Sequence, residues 1–135
     1  MRETALQDRI PMKKLLAWTC SLLAVAFTYS AVLAADTVSP AEASSYIGQK
    51  ATVCGTVASA TFASRTKGQP TFLNLDEPYP RQIFTVVIWG RDRRFFNNAP
   101  EVLYRGKKVC VTGMVKSFRG KPEIIVLLPS QIAEQ

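Results

Sequence analysis

Two segments of the chain have almost the same pattern: ATVCGTVAS begins at Ala51, and KKVCVTGMV begins at Lys107. In each, valine or a smaller residue alternates with threonine, cysteine or lysine, which is the side-chain period of a β-strand with one apolar face. The cysteines, Cys54 and Cys110, fall on the more polar face. The pattern predicts two neighbouring strands that give their valines to one core and turn their cysteines away from it.

The alternation, together with turn-forming residues between segments, predicts five strands. They are Ala51–Ala60, Thr71–Leu75, Gln82–Trp89, Lys107–Phe118 and Glu123–Leu128. The third is apolar on both faces, which favours a central position. Gly55 and Gly113 lie within strands and suit sharp bends in a small barrel. The order predicts an all-β domain, a five-stranded Greek-key barrel of the OB-fold type; a five-stranded sandwich of another topology is the alternative.

Two short helices are predicted beside these strands. Ser39 is a helix-capping residue and Glu42 completes a capping box, so a helix is expected over Pro40–Ile47, with proline at its first position. A second helix of one or two turns is expected around Pro100–Tyr104, between the third and fourth strands.

The first 34 residues have the features of an export signal. The segment from Leu15 to Ala34 has no charged residue, follows two lysines and ends in small residues. This predicts a secretory signal peptide over residues 1–34, with Met12 as a candidate native start, and a single domain over residues 35–135. The apolar segment is also long enough to span a bilayer, so a retained anchor is the alternative. In both cases the domain is expected outside the cytosol, in the periplasm or secreted.

The cysteine count agrees with export. Without Cys20, which lies in the predicted signal, two cysteines remain, and an even count in an exported domain favours one disulfide. In an OB-fold the first and fourth strands are antiparallel neighbours, so Cys54 and Cys110 are expected to face each other within bonding reach. Two free thiols, a redox pair and a metal site are the alternatives. The last two lack a CxxC spacing and any histidine.

Several segments together carry a family resemblance: ATVCGTVASA, KGQPTFLNLDEPYP, FTVVIWGRDR, YRGKKVCVTG and FRGKPEIIV. With them the chain resembles a family of small exported bacterial OB-fold proteins, over about residues 45–132. The resemblance implies an OB-fold domain of the nucleic-acid-binding or DNA-binding kind. It implies no family-defining catalytic residue.

Basic residues in two loops are the candidate binding site. The whole chain has 17 basic and 10 acidic residues; residues 1–34 hold four and two of them, so the remainder is about +5. OB-folds grip oligonucleotides with two loops and the face of the second and third strands, where cations neutralise phosphates and rings stack on bases. The residues expected to do so are Arg65, Lys67, Arg119, Lys121, Phe62 and Phe118. Solvated loop charges and core-packed rings are the alternative interpretation.

The densest charge cluster is WGRDRRFF, in which Asp92 stands among three arginines. Either it supplies a further phosphate contact, or Asp92 pairs with a neighbouring arginine and fixes the loop; we favour the second. Without histidine the chain lacks the commonest general base. We therefore predict a binding module for single-stranded nucleic acid, with no enzymatic activity, cofactor or metal. A periplasmic protein-interaction or envelope-stress module is the alternative.

Overall fold

The computed structural model describes residues 35–135, and the predicted signal peptide lies outside them. Seven strands follow in chain order: β1 Asp36–Val38, β2 Lys50–Phe62, β3 Thr71–Leu75, β4 Thr85–Ile88, β5 Lys108–Phe118, β6 Lys121–Ile125 and β7 Ile132–Glu134. One short α-helix, α1, covers Pro100–Leu103. Three 3₁₀ helices cover Ala43–Tyr46, Gly90–Phe95 and Pro129–Gln131. Within this part of the chain, no helix is long and apolar enough to cross a membrane.

Five of the strands close into a barrel. The order is β2–β3–β4–β6–β5, and β5 pairs back onto β2. All neighbours are antiparallel except β4 and β6, which are parallel. This is the Greek-key connectivity predicted from the sequence, and the all-β OB-fold barrel is confirmed. The sequence did not indicate β1 and β7, two three-residue strands that pair beside the barrel strands, β1 parallel to β2 and β7 antiparallel to β5.

The repeated Val-Cys strands pair with each other. Cys54 lies opposite Cys110 in the β2–β5 ladder, and their sulfur atoms are bonded at 2.05 Å. The neighbouring valines Val53, Val109 and Val111 are fully buried in the barrel core, whereas both cysteines are only partly buried. The alternation therefore has the predicted parity, with the valines inside the barrel and the disulfide on its outer side.

The two strand glycines mark places where a side chain would not fit. A Cβ atom on Gly113 would lie 2.7 Å from the Ile124 side chain of the neighbouring strand β6. A Cβ atom on Gly55 would lie 2.7 Å from Asp76 Oδ1 and from Pro40. Close approach of neighbouring elements, as expected for glycine within a strand, explains both positions.

The predicted N-terminal helix is shorter and tighter than expected. The Glu42 carboxylate accepts hydrogen bonds from the Ser39 backbone N–H at 3.0 Å and from its hydroxyl at 2.7 Å, so part of the capping box is present. The backbone bonds that follow run from each residue to the third one before it, as in Ser45 N–H to Glu42 O. The segment therefore forms a turn and a 3₁₀ helix over Ala43–Tyr46, not an α-helix over Pro40–Ile47. The predicted helical turns after Pro100 are present as α1.

Several strand boundaries differ from the predicted ones: β2 runs to Phe62 and not Ala60, and β6 begins at Lys121 and not Glu123. At two others, side chains bind the backbone groups where the strand was expected to continue. The third strand was expected from Gln82, but the Gln82 carbonyl accepts a hydrogen bond from Lys121 Nζ, and β4 begins at Thr85. The fifth was expected to reach Leu128, but the N–H groups of Leu127 and Leu128 donate to Gln131 Oε1, and β6 ends at Ile125. In each case a side chain competes with the sheet ladder for the backbone.

Candidate nucleic-acid interface

An open groove of about 450 Å³ lies on the outer face of the barrel. Along β3, β4 and β6, alternate residues point inward and are buried, as Leu73, Val86 and Ile124 are. The residues between them point outward. Those that line the groove floor are Phe72, Asn74, Thr85 and Glu123. The groove therefore lies on the face of the second and third barrel strands, where the sequence analysis placed ligand binding.

A chain of hydrogen bonds fixes one side of the floor. Thr85 Oγ1 donates to Asn74 Oδ1 at 2.8 Å, and Asn74 Nδ2 donates to Ser59 Oγ at 2.9 Å. The Tyr79 backbone N–H also donates to Ser59 Oγ, at 3.1 Å. This ties the loop between β3 and β4 to the sheet and positions Tyr79 at the groove.

Two aromatic rings stand at the groove with much of their surface in solvent. Tyr79 is 72% exposed and Phe118 is 57% exposed, which is unusual for rings of this size. Phe118 is at the end of β5, where the outward parity and the hairpin turn keep it out of the core. Exposed rings beside a concave surface are available for stacking.

Two cations border the groove next to Phe118. Arg119 and Gly120 form the β5–β6 turn, both with positive φ (49° and 77°), and the Arg119 guanidinium carbon lies 5.2 Å from the Phe118 ring centre. Lys121 Nζ donates to the Gln82 carbonyl oxygen at 2.8 Å, which holds the ammonium at the groove. An ammonium has three donors, so two of those on Lys121 remain available.

Two acceptor groups of the groove lack protein partners. Gln82 Oε1 is buried and accepts no hydrogen bond, the single such side-chain atom found in residues 35–135. Glu123 is half-buried and takes part in none of the side-chain hydrogen bonds or ion pairs found in that range. Burial raises the pKa of Glu123, and the ammonium of Lys116, opposite it on β5, partly offsets the rise.

The other predicted site residues lie outside this groove. Arg65 and Lys67 are exposed in the loop between β2 and β3, and neither lines the groove. That loop is tied to the first turn of the second 3₁₀ helix by the Gly90 N–H, which donates to the Gly68 carbonyl at 2.9 Å. The structure therefore brings together Phe118, Arg119 and Lys121 but does not bring the first loop's cations to the same surface.

Phe62 is occupied by a side chain of the protein itself. The Arg93 guanidinium carbon lies 3.7 Å from the centre of its ring. Arg93 also donates two hydrogen bonds to Glu101, at 2.6 and 3.2 Å, and one to Thr71 Oγ1. These contacts hold the pKa of Glu101 below its ordinary value, chiefly through the hydrogen bond from Arg93. We call Phe62, Thr71, Arg93 and Glu101 the arginine cluster; it closes off one face of the Phe62 ring.

The arginine-rich segment is mainly structural in the contacts it makes. Asp92 is buried, and Arg91 Nε approaches its Oδ2 at 3.4 Å, in agreement with the favoured interpretation of the segment. The stronger interaction, between Arg93 and Glu101, was not anticipated. Eight residues separate the two along the chain, and no local pattern indicates that α1 returns Glu101 to Arg93.

The predicted site residues did not include Tyr79, an aromatic close to the predicted binding surface, or Glu123, and both line the groove. Tyr79 stands between two prolines in an irregular turn, so no periodicity assigns its ring to a face. Glu123 could have been assigned to the groove from the sequence, because it lies two positions after Lys121 in a strand and so shares its face. Among residues 35–135, no three histidine, cysteine or acidic side chains come together as a metal site would require.

Comparisons with known proteins give only distant likenesses. No family model and no curated protein matches the chain. Among solved structures, a chain assigned as an aspartyl-tRNA synthetase from Leishmania major Friedlin matches 78% of this chain with a TM-score of 0.47 and 11% identity, and this chain spans 22% of its length. The OBody AM1L10 bound to hen egg-white lysozyme matches 77% of this chain, and 97% of its own, with a TM-score of 0.46 and 21% identity. At these values neither likeness bears on function.

Proposed function

We propose that the protein is an exported OB-fold module that binds short single-stranded nucleic acid in the groove of β3, β4 and β6. The observation that carries the proposal is the grouping of two exposed rings, Tyr79 and Phe118, with two cations, Arg119 and Lys121, around one concave surface. Rings that stack bases and cations that neutralise phosphates are the two components of sequence-tolerant binding to single strands.

The groove's size and charge fit a few nucleotides. Its volume of about 450 Å³ is within the range of small-ligand pockets. Phe72 offers a third ring on the floor, while Arg119 and Lys121 stand at the border, where a phosphate backbone can remain in solvent. With so few phosphate contacts, the affinity is expected to be micromolar or weaker and to depend on salt.

Arg65 and Lys67 extend the proposal beyond the groove. They are exposed, the loop that carries them is anchored to Gly90, and neither takes part in the ion pairs of residues 35–135. A longer strand that leaves the groove would meet them as secondary phosphate contacts. Phe62 contributes to this proposal only through the face that Arg93 does not cover.

Export is the second part of the proposal. It is supported by the uncharged segment that ends at Ala34 and by the Cys54–Cys110 disulfide, a bond typical of oxidising compartments. The periplasm or the outside of the cell is the location we propose.

Fluorescence anisotropy with labelled hexathymidylate tests the binding proposal. For two phosphate contacts, raising the salt from about 50 to about 200 mM should weaken binding roughly sevenfold. The double variant Arg119→Ala/Lys121→Ala should lose most of both the affinity and the salt dependence.

The matched control is Lys50→Ala/Lys108→Ala, which removes the same charge from exposed positions outside the groove. It should bind as the unaltered protein does. Absence of binding at low salt would overturn the proposal and leave the protein-interaction alternative. Equal losses in the two double variants would show that net charge, and not the groove, attracts the oligonucleotide.

A further inference from the structure

The groove contains more hydrogen-bond acceptors than a site for phosphate and bare rings requires. The carboxylate of Glu123 lines the floor without a protein partner, and Gln82 Oε1 is buried there unpaired. A carboxylate on the floor repels phosphate, so it offers nothing to backbone binding. An unpaired buried acceptor also costs free energy until a donor reaches it. Of the two, Glu123 lines the groove where a ligand can reach it, so it favours a ligand that brings N–H donors.

Nucleobases differ in the donors that they can bring. An ionised carboxylate only accepts hydrogen bonds, through two oxygens side by side. On the Watson–Crick edge, guanine presents two adjacent donors, N1–H and the N2 amine. Adenine and cytosine present one donor beside an acceptor, and thymine presents one donor between two acceptors. Single-stranded bases are read on this edge. Guanine is therefore the base that satisfies both oxygens of one carboxylate.

The third group of the guanine edge also has a counterpart. Next to N1–H guanine carries the O6 acceptor, which basic side chains bind in many complexes. Lys121 lies two positions before Glu123 on β6, so the two side chains leave the same face of the strand. With one donor on the Gln82 carbonyl, the Lys121 ammonium has two others to offer, one for the phosphate contact proposed above and one for O6. Along this face, Lys121 offers a donor to O6, and Glu123 offers its two oxygens to N1–H and the N2 amine.

We propose that the groove selects guanine, with Glu123 accepting from N1–H and the N2 amine and Lys121 donating to O6. The proposal deepens the proposed function and rests on it, because it names the base that a single strand places on the floor. Phe72 and Phe118 supply stacking surface that any base can use, whereas the Glu123–Lys121 pair discriminates among bases.

Changes in the ligand test the selection without altering the protein. Four labelled hexanucleotides are titrated with the protein at pH 7.5. They carry thymine at every position except the third, which is thymine, guanine, hypoxanthine or adenine. Guanine should bind about tenfold more tightly than thymine. Hypoxanthine keeps O6 and N1–H but lacks the N2 amine, so it should lose most of that gain, and adenine should bind like thymine.

A protein variant with a matched control completes the test. Glu123→Gln should abolish the preference for guanine while it binds hexathymidylate at least as well, since it removes a negative charge beside the phosphates. Glu134→Gln removes a carboxylate on β7, outside the groove, and should leave the preference unchanged.

The outcomes separate this inference from the proposed function. Measurable binding of hexathymidylate with no gain for guanine would overturn the selection and leave the single-strand proposal standing. Equal binding of guanine and hypoxanthine, or a preference that survives Glu123→Gln, would also overturn it. No binding of any hexanucleotide would overturn both.

Discussion

Of the three arginines that lie over a phenylalanine ring in residues 35–135, two do so in opposite circumstances. In the arginine cluster, Arg93 lies 3.7 Å from the Phe62 ring centre, and its side chain is 17% exposed. At the groove, Arg119 lies 5.2 Å from the Phe118 ring centre, and both residues are exposed. The first pair is held by Glu101 and Thr71, whereas the second has no acidic partner among the ion pairs of residues 35–135.

The difference separates a structural use of an arginine over a ring, at Arg93, from the binding use that we propose for Arg119. Arg93 makes three hydrogen bonds within the protein and pairs with the Glu101 carboxylate, so little of its charge remains for a ligand. Arg119 keeps its donors in solvent beside a ring of which more than half is accessible. A cation over a ring is therefore a candidate contact only where no carboxylate has already paired with it. The experiments below test this distinction, from the largest expected effect to the smallest.

The disulfide holds together the strands from which both regions arise, β2 with Phe62 and β5 with Phe118. Cys54→Ala/Cys110→Ala should lower the free energy of unfolding by about 4 kcal/mol in the chain-entropy model, from the length of the closed loop. The loss is measured by urea titration against the unaltered protein. At temperatures where the variant remains folded, its affinity for hexathymidylate should be unchanged. A loss below about 1 kcal/mol would contradict the expected contribution of the disulfide.

Arg93→Ala should destabilise the protein by about 3 kcal/mol, because it leaves Glu101 partly buried without its cation. The urea midpoint measures the change. Arg94→Ala is the matched control, since Arg94 is exposed and lies 4.8 Å from the Phe95 ring centre; it should cost less than about 0.5 kcal/mol. Similar losses in the two variants would contradict a structural role specific to Arg93.

Phe118→Ala should have the opposite effect to Arg93→Ala, with a loss of affinity and little loss of stability. Removal of an exposed ring should change stability little, but the affinity for hexathymidylate should fall by about 1–3 kcal/mol if one base stacks there. Fluorescence-anisotropy titration with hexathymidylate measures this loss of affinity. Phe95→Ala removes a ring that is 45% exposed and lies beside an arginine outside the groove, so the affinity for hexathymidylate should stay unchanged. Unaltered binding by Phe118→Ala would place the stacking contact elsewhere.

The smallest effects are expected from two carboxylates whose pKa values are shifted in opposite directions. The pKa of Glu101 is lowered from 4.5, so its ionised form stabilises the fold above that pH, and the contribution is lost as pH falls through the folded-state pKa. The pKa of Glu123 is raised from 4.5, so its contribution is present below that pH and is lost as pH rises through the folded-state pKa.

Urea titrations across this pH range should therefore separate the two regions. Glu101→Gln should be less stable than the unaltered protein at pH 7, by about 1 kcal/mol, and the deficit should shrink in acid. Glu123→Gln should be slightly more stable at pH 7, and that gain should also shrink in acid. The same sign of change in both variants at pH 7 would contradict the contrast between the cluster and the groove.

The sequence indicated the barrel because its evidence is periodic. Alternation along β2 and β5 assigns every side chain to a face, and the assignment holds at Val53, Cys54, Val109 and Cys110. The boundaries at Gln82 and Leu127 could not be read in this way, because Lys121 and Gln131 bind backbone groups there. Those competing bonds come from residues that only the fold brings near.

The residues of the candidate site likewise divide into those that the sequence indicated and those that only the fold brings together. The chain by itself determined the succession of five strands and the outward, facing cysteines, since side-chain parity follows from local pattern, but it left open whether the Phe118 ring lies in the core. Only the tertiary structure decided that Glu101 reaches Arg93, that Arg93 covers Phe62, and that Tyr79 and Glu123 join Phe118 in one groove. Periodicity fixes the face on which a side chain lies, but the ion pairs and grooves it enters depend on how loops and distant strands meet in space.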